Sequence, residues 1–330
     1  SDCSGQRFWR EGERERQERM DADTLSLSSD LMATASGYCL TTEERACLPP
    51  SLSILKNEHG FARVVYWGKI QGQAGDYLIA QGLGSIAHDK REASTLAGGD
   101  HTTPDFFSTM KMIPKKTFRL GPDGVSWTLL PTVDNDITTK WLGWRDWLKG
   151  KGRIFTPFTG DPAHKFTYTT AGPPPPEGGE ATAAEAHVLE EERLACVVQE
   201  IDQTCSVVPY GAYMLQSGQQ VVTNPYYKGL SLEKGSDMSS YLHLRQPEVL
   251  PTKPISELAG LSKTMDFLDR IGDDLPKGSW SIKHDTPNNM IIVRSLAFPG
   301  YVFFSVVNSN VFGSAYVGTG LRNWDLAFML

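Results

Sequence analysis

The residues that could carry chemistry are scattered in this chain, and each group lacks part of the pattern that its chemistry needs. Gly82-Leu83-Gly84 follows a predicted strand, as do the glycines that let a pyrophosphate approach the start of a helix in dinucleotide-binding turns. The residues that follow, 88–92, lack the amphipathic pattern of such a helix. We therefore interpret these glycines as a turn. The phosphate-cradling and serine-hydrolase glycine motifs are also missing from the sequence.

Metal binding and thiol chemistry are not favoured either. The seven histidines never pair at H-x-x-x-H spacing, and Asp134-Asn135-Asp136 lacks the glycine and terminal glutamate of a calcium loop, so a turn or helix cap is expected there. Cys196 and Cys205 flank a segment of core-like residues, which is typical of buried thiols rather than of a nucleophile. The residues therefore predict no catalytic, cofactor-binding or metal site.

The composition limits the partners and the environment. Among 330 residues, 32 are basic and 39 acidic, and the resulting formal charge of −7 is spread along the chain, which argues against a nucleic-acid partner. No apolar run is long enough to span a membrane, and no secretory signal is recognisable. Five cysteines without a C-x-x-C pair indicate reduced thiols in a cytosolic setting.

The elements that must position these residues are concentrated in the stretch 275–330. Residues 280–285 alternate apolar and polar side chains, which predicts a half-buried strand. Met290-Ile291-Ile292-Val293 is apolar throughout, which predicts a central strand covered on both faces. Two further strands are predicted near 301–307 and 311–317. These four strands should form the main sheet.

The apolar chain end and Arg294 are unusual features of this stretch. The chain ends in Ala327-Phe328-Met329-Leu330, and because chain ends normally fray in water, we expect this apolar end to dock onto its own sheet or onto a partner. Arg294 interrupts an apolar strand, and we expect it to pair with a carboxylate or to lie at the sheet edge, since an unpaired buried guanidinium is costly.

Two β-hairpins are predicted in the first half of the chain. Residues 62–70 and 76–83 are strand-like and are joined by a glycine-rich turn, and so are residues 116–120 and 125–130. Residues 207–214 are predicted to be a further strand.

Helices are predicted near the N-terminus and in the middle of the chain. One lies near 25–32, and a second begins at Thr42 and is divided by Pro49-Pro50. The clearest spans 190–201, where three glutamates precede apolar residues at 3.6-residue spacing, and another runs from about Ser262.

A stripe of tryptophans lies in the middle of the chain. Trp141, Trp144 and Leu148 share one helical face, for which packing in the chain's own core is favoured over anchoring a partner.

Residues 1–19 are interpreted as a disordered N-terminal extension, with a native start at Met20 as a hypothesis.

Surface insertions are expected near 84–105 and 171–185. The second contains the proline run 173–176, which is read as a spacer because no basic anchor flanks it. The sequence therefore predicts one α+β domain over 20–330, with an antiparallel β-sheet core dominated by C-terminal strands and flanked by short N-terminal and central helices.

Blocks of residues in a characteristic order and spacing extend along the chain from Met20. They include Val65-Tyr66-Trp67-Gly68-Lys69-Ile70, Leu275-Pro276-Lys277-Gly278-Ser279-Trp280-Ser281-Ile282, Arg294-Ser295-Leu296-Ala297-Phe298-Pro299-Gly300 and Tyr316-Val317-Gly318-Thr319-Gly320. In this order they resemble the radial spoke head protein 9 family of ciliary and flagellar axonemes. The chain departs from the family pattern in residues 1–19, in the insertion around 85–104, in the three-tryptophan segment and in the proline-rich linker.

The resemblance implies a non-enzymatic structural subunit without cofactors. Its implied partners are other radial spoke head and stalk subunits, among them relatives of head proteins four and six, and the projections of the central pair, with two copies per head. The implied location is the axoneme, after a cytoplasmic stage before assembly, and the implied role is relaying signals from the central pair to the dynein arms. Structural or interface candidates within the matching blocks are Trp67, Gly68, Pro276, Gly278, Trp280, Arg294, Pro299, Gly300, Gly318, Gly320, Phe328 and Leu330.

One alternative of another class stays open. A small-molecule-binding protein or an enzyme would need a pocket between the sheet and the helix predicted within 185–203, with convergent polar groups and perturbed titrating residues.

Overall fold

The computed structural model describes residues 20–22, 24–85, 107, 110–153, 155–170, 184–217 and 219–329. The predicted extension 1–19 and Leu330 lie outside the described residues, and so do residues 86–105 and 171–183 of the insertions predicted near 84–105 and 171–185. Residues 84–85 and 184–185 belong to strands instead.

Short helices and fourteen strands make up the described part of the chain. The α-helices are α1 (Leu25–Ser36), α2 (Thr42–His59), α3 (Asn135–Gly150), α4 (Glu190–Cys205), α5 (Leu232–Gly235), α6 (Ile255–Leu258) and α7 (Leu326–Met329). The strands are β1 (Phe61–Ile70), β2 (Tyr77–Ser85), β3 (Lys115–Leu120), β4 (Trp127–Leu129), β5 (Lys165–Thr170), β6 (Ala184–Leu189), β7 (Val207–Pro209), β8 (Tyr213–Gln216), β9 (Gln220–Thr223), β10 (Tyr241–His243), β11 (Trp280–Asp285), β12 (Met290–Ser295), β13 (Tyr301–Val306) and β14 (Phe312–Gly318).

Eight of the strands form one sheet in the order β11-β12-β13-β14-β1-β2-β3-β4. The C-terminal strands form one antiparallel half and the N-terminal hairpins the other, so the predicted α+β class and both hairpins are confirmed. The two halves join where β1 pairs parallel to β14, over Gly68 to Ile70. Three two-stranded sheets, β7-β10, β5-β6 and β8-β9, lie beside it.

Both faces of the large sheet are covered. Helices α1 and α2 pack on one face, where Leu25, Leu52 and Phe304 are buried, and α4 packs with the small sheets on the other, where Ile201 and Phe303 are buried. The segment Met290–Val293 is fully buried, as predicted, because successive side chains enter the two cores in turn. The strand β12 lies inside the sheet between β11 and β13, although it is only the second strand from the β11 edge.

Helix α2 is continuous, so the predicted division at Pro49-Pro50 is wrong. A capping box starts the helix, with the Thr41 side chain accepting from the Glu44 amide at 3.2 Å. The prolines each remove a backbone donor, which weakens the helix. Three leucines on its buried face, Leu48, Leu52 and Leu55, are completely shielded from solvent and offset this loss.

Two other elements differ from the sequence prediction. The residues after Ser262 form turns rather than a helix, and these turns bury Phe267, Leu268 and Asp269 in succession, a pattern that one face of a helix would not give. The strand predicted for 207–214 is split into β7 and β8 by a turn. Helix α4 begins at Glu190, as the three glutamates predict, and residues 184–189 before it are the strand β6.

The tryptophan stripe packs internally, as predicted. Trp144 and Leu148 of α3 are buried against Tyr168 and Val188 of the β5-β6 hairpin, while Trp141 is half-buried at the edge of this cluster. None of the helices in the described ranges is both long and apolar enough to cross a membrane.

Candidate functional site

A cavity of about 300 Å³ lies between the large sheet and helix α4, at the place required by the ligand-binding alternative. Its volume is at the lower end of the range of small-molecule sites. Side chains from β1, β2, β8, α4 and the loop before β3 line it, among them Trp67, Leu83, Met112, Ile113, Asp202 and Tyr213.

Asp202 is the centre of the polar contacts in this cavity. Its Oδ1 accepts from the Trp67 indole Nε1 at 2.6 Å. Its Oδ2 accepts from the Gln81 Nε2 at 2.6 Å and from the Lys115 Nζ at 2.6 Å. This one carboxylate thereby ties β1, β2 and β3 to α4, and a charge-assisted bond of this kind is stronger than a neutral one.

The Trp67, Gln81 and Lys115 donors of the cavity therefore bind the Asp202 carboxylate instead of converging on empty space. Tyr301 lines the cavity, and its hydroxyl accepts from the Val207 amide at 3.0 Å, while burial raises the pKa of that hydroxyl well above its usual range. The tyrosine stays protonated at neutral pH and is not poised as a base. This arrangement supports packing of α4 on the sheet more directly than acid–base chemistry.

A second buried polar cluster holds the segment that leads from α3 to β5. Arg193 of α4 is 1% exposed, and its Nη1 and Nη2 donate to the carbonyls of Pro157 and Thr156. Its Cζ lies 4.0 Å from the ring centroid of Phe158 and 5.1 Å from that of Trp144. Burial lowers the pKa of Arg193 to about 10, which still leaves the guanidinium charged at neutral pH.

Glu190, one turn before Arg193, binds the next part of the same segment. It is completely buried, and its carboxylate accepts from the Thr159 amide at 2.9 Å, the Gly160 amide at 2.9 Å and the Tyr77 hydroxyl at 2.6 Å. These donors compensate the burial of a charge, which would otherwise be expensive. Arg193 and Glu190 together fix residues 156–160 against the sheet.

The structure brings several of the predicted candidates together at the joint between β1 and β14. Gly68 has φ +147°, and a Cβ there would lie 2.1 Å from the Tyr316 carbonyl oxygen. Gly300 has φ +106°, and a Cβ there would lie 2.2 Å from the Val317 carbonyl oxygen. Only glycine allows the backbones to approach this closely in these conformations.

Neighbouring candidates lie at the same joint. The Gly320 amide donates to the Tyr316 hydroxyl at 2.8 Å, and a Cβ on Gly318 would lie 2.8 Å from the Pro299 carbonyl oxygen. The Trp67 ring contacts the Tyr316 ring at a centroid distance of 5.5 Å. Six of the twelve candidate positions, Trp67, Gly68, Pro299, Gly300, Gly318 and Gly320, therefore form one structural unit.

Other candidates lie at the opposite end of the C-terminal half-sheet. Trp280 is buried, and its Nε1 donates to Asp274 Oδ2 at 2.7 Å. The same carboxylate bonds the buried His243 Nε2 at 2.9 Å. Pro276 and Gly278 belong to the loop between Asp274 and β11, the strand that begins at Trp280. The Leu275–Pro276 peptide bond in this loop is cis. The loop is anchored by side chains from two separate strands.

Arg294 has neither of its predicted environments. It lies on β12, inside the sheet, and its Nη2 donates to the Ala35 carbonyl at 2.7 Å. The carbonyls of the last helical turn lack partners within the helix and carry the negative end of its dipole. Arg294 therefore caps α1 from the sheet, a contact for which the sequence gives no local signal.

The apolar chain end does not pack against the sheet along its described length. Leu326 of α7 is 5% exposed, but Phe328 is 90% and Met329 72% exposed. The prediction that this end docks onto its own sheet is therefore wrong for Phe328, and docking onto a partner stays a prediction. Leu330 lies outside the described residues.

Sequence reasoning missed the charged residues that organise the interior. Asp202, Glu190 and Arg193 lie on α4, whose apolar spacing was recognised, but the hydrogen-bond partners described above are 30 to 135 residues away. The one available signal was a charged residue at the buried face of the helix. Among the described residues, no group of three or more His, Cys, Asp or Glu side chains is arranged to hold a metal ion.

Comparison with known proteins gives a consistent result over nearly the whole chain. No family model matches it. A radial spoke head protein 9 homologue of Danio rerio is 37% identical over 316 residues, which covers 94% of this chain and 100% of the relative. The homologues of Bos taurus and Homo sapiens are each 34% identical over 314 residues, with the same coverage.

Proposed function

The chain belongs to the radial spoke head protein 9 family, and from that membership we propose that it is a non-enzymatic structural subunit of the radial spoke head in the axoneme of cilia and flagella. The observation that carries this proposal is the match itself, which spans the full length of relatives named as radial spoke head proteins. A match of that extent covers nearly the whole chain rather than one motif.

The interior of the molecule is in keeping with a scaffold. The carboxylates of Asp202 and Glu190 are bonded to several donors each, and these bonds join strands to α4. The glycines of the β1–β14 joint allow close backbone packing. Such features fix geometry, which is what a load-transmitting subunit needs.

The proposal includes assembly with other radial spoke head and stalk subunits, among them relatives of head proteins four and six. It also includes two copies per head, contact with central pair projections, signal relay to the dynein arms, and a cytoplasmic stage before assembly. Residues 20–330 would act in it as one unit. Each of these points is part of the proposal, which rests on family membership.

Fractionation of cilia tests the proposal directly. The protein should remain in axonemes after the membrane is removed by detergent, and it should be missing from axonemes that lack spoke heads. If it were extracted with the membrane and matrix, or were retained where spoke heads are missing, the proposal would fail.

The cavity beside Asp202 favours a second candidate function, the binding of a small apolar molecule. Native mass spectrometry of the purified full chain distinguishes the two functions. A bound small molecule that is lost when Leu83, which lines the cavity, is replaced by Trp would support the ligand-binding function. An unliganded mass for the wild-type chain would count against it.

A further inference from the structure

The C-terminal surface combines exposed apolar side chains with a group of cations around one tryptophan. We define it by the residues Arg145, Lys149, Arg322, Trp324, Phe328 and Met329. It is separate from the cavity beside Asp202 and from the β1–β14 joint.

The apolar part of this surface is held in place and uncovered. Phe328 is 90% exposed, Met329 72% and Trp324 46%. The segment is anchored on either side of Trp324, because the Asn323 amide donates to the Ala297 carbonyl at 2.7 Å and Leu326 is buried. Three large apolar side chains presented from an anchored segment are typical of an interaction site.

The cations surround the Trp324 ring. The Cζ of Arg322 lies 4.6 Å from the ring centroid, the Cζ of Arg145 5.6 Å and the Nζ of Lys149 5.8 Å. Tryptophan and arginine are the residues most enriched at binding hot spots, and a cation over a tryptophan ring is attracted to its face.

Nearby carboxylates compensate these cations only in part. Arg145 and Arg322 share one oxygen of Glu200, at 3.9 and 3.3 Å, so two positive charges face one negative charge. Lys149 is paired with Asp146 at 3.4 Å, but both side chains are more than half exposed, and such pairs contribute little.

Further charged residues flank this group. Asp325 is exposed beside Trp324, and Lys151 and Arg153 are exposed at the end of α3. The balance around the tryptophan is therefore positive, in a chain whose formal charge is −7.

We propose that the C-terminal surface binds an acidic segment of another spoke-head subunit, one that inserts aromatic or aliphatic side chains beside Phe328 and Trp324. This inference rests on the proposed function. Charge complementarity selects the occupant, because a second copy of the same surface would bring like charges together. The apolar side chains give the partner's residues a place to be buried.

The test compares full-length variants in cilia whose own copy of the protein has been removed. Trp324→Ala with Phe328→Ser removes apolar contacts, and Lys149→Glu reverses one charge. Tyr226→Ser and Leu275→Ser are matched controls, because both side chains are 83% exposed elsewhere on the molecule. The readout is the amount of each variant in isolated spoke heads.

We expect the double variant and the charge-reversal variant to be retained on the order of tenfold less than wild type, with both controls retained normally. The melting temperature of each purified variant is measured in parallel. If the double variant unfolds, Phe328→Ser alone replaces it, since that side chain has almost no contacts to lose.

Two outcomes would separate this inference from the proposed function. If wild-type protein fails to enter spoke heads, the proposed function fails. If wild type and all variants enter equally, only the inference fails. A photo-crosslinking residue at position 328 should capture an acidic segment of another subunit in assembled heads. Capture of a second copy of this chain, or Phe328-dependent sedimentation with phosphatidylserine vesicles, would overturn the inference.

Discussion

The indole of Trp67 on β1 donates to the carboxylate of Asp202 on α4 at 2.6 Å, across 135 residues of sequence. The bond joins helix α4 to the large sheet in the lining of the cavity. Because the same carboxylate also accepts from Gln81 and Lys115, the contact belongs to a network in which each donor orients the others.

Replacing Trp67 with Phe should destabilise the protein by about 1–3 kcal/mol, because the ring packing is largely kept while Asp202 Oδ1 loses its donor. Chemical denaturation of the purified chain measures the change. Trp127→Phe is the matched control, since the Trp127 Nε1 is buried without a partner among the described residues. That substitution should be neutral or slightly stabilising, and equal losses at the two positions would contradict the role of Asp202.

Replacing Arg193 with Lys should cost about 2–3 kcal/mol although the charge is kept. The single nitrogen of an ammonium cannot occupy the positions of both Nη1 and Nη2, and it has no planar group to lie on Phe158, so the bonds to Thr156 and Pro157 would be weakened or lost. The free energy of unfolding is compared with that of Arg45→Lys, whose side chain is 46% exposed and which should change by less than about 0.5 kcal/mol. If the Arg193→Lys variant had the same free energy of unfolding as wild type, the role of Arg193 in fixing residues 156–160 would be refuted.

Replacing Gly68 with Ala should prevent the β1–β14 pairing or cost more than about 3 kcal/mol, since the added Cβ would lie 2.1 Å from a backbone oxygen of Tyr316. Gly75→Ala is the control, because a Cβ there has no heavy atom within 4 Å. Soluble yield and melting temperature report the effect. Similar stability of the two variants would show that the joint can relax.

The thiols should react in two classes. Burial raises the pKa of Cys196 and of Cys205 to about 12, so both are protonated and shielded at pH 8, whereas Cys39 is exposed. Iodoacetamide should therefore label Cys39 in the native protein and label Cys196 and Cys205 only after denaturation, as followed by peptide mass spectrometry. Labelling of Cys205 as fast as Cys39 under native conditions would contradict the structure.

The sequence was sufficient where the signal is local and repeated. The apolar spacing up to Ile201 predicts α4, and the turn glycines predict both hairpins, because these patterns follow from helix and strand geometry. It was insufficient where the partners are distant. Nothing near Arg294 indicates that it caps α1 from the sheet, and nothing near Asp202 indicates three donors from three strands.

The same reason explains the errors. Pro49-Pro50 ends most helices, yet burial of the leucines on α2 outweighs the local preference. The spacing after Ser262 is helical, but the segment forms turns that bury Phe267, Leu268 and Asp269 in succession. The sequence was enough to name the interface candidates. Their grouping at the β1–β14 joint depends on the pairing of residues about 250 positions apart, which the sequence does not show.

That joint has a consequence for biosynthesis. The ribosome releases β1 roughly 250 residues before the parallel strand that completes its edge, so the N-terminal hairpins spend much of translation with one side of β1 unpaired. An open strand edge invites pairing with other chains. The nascent protein should therefore depend on chaperones until β14 emerges, and nonsense mutations that remove β14 should yield an aggregating fragment rather than a shortened subunit.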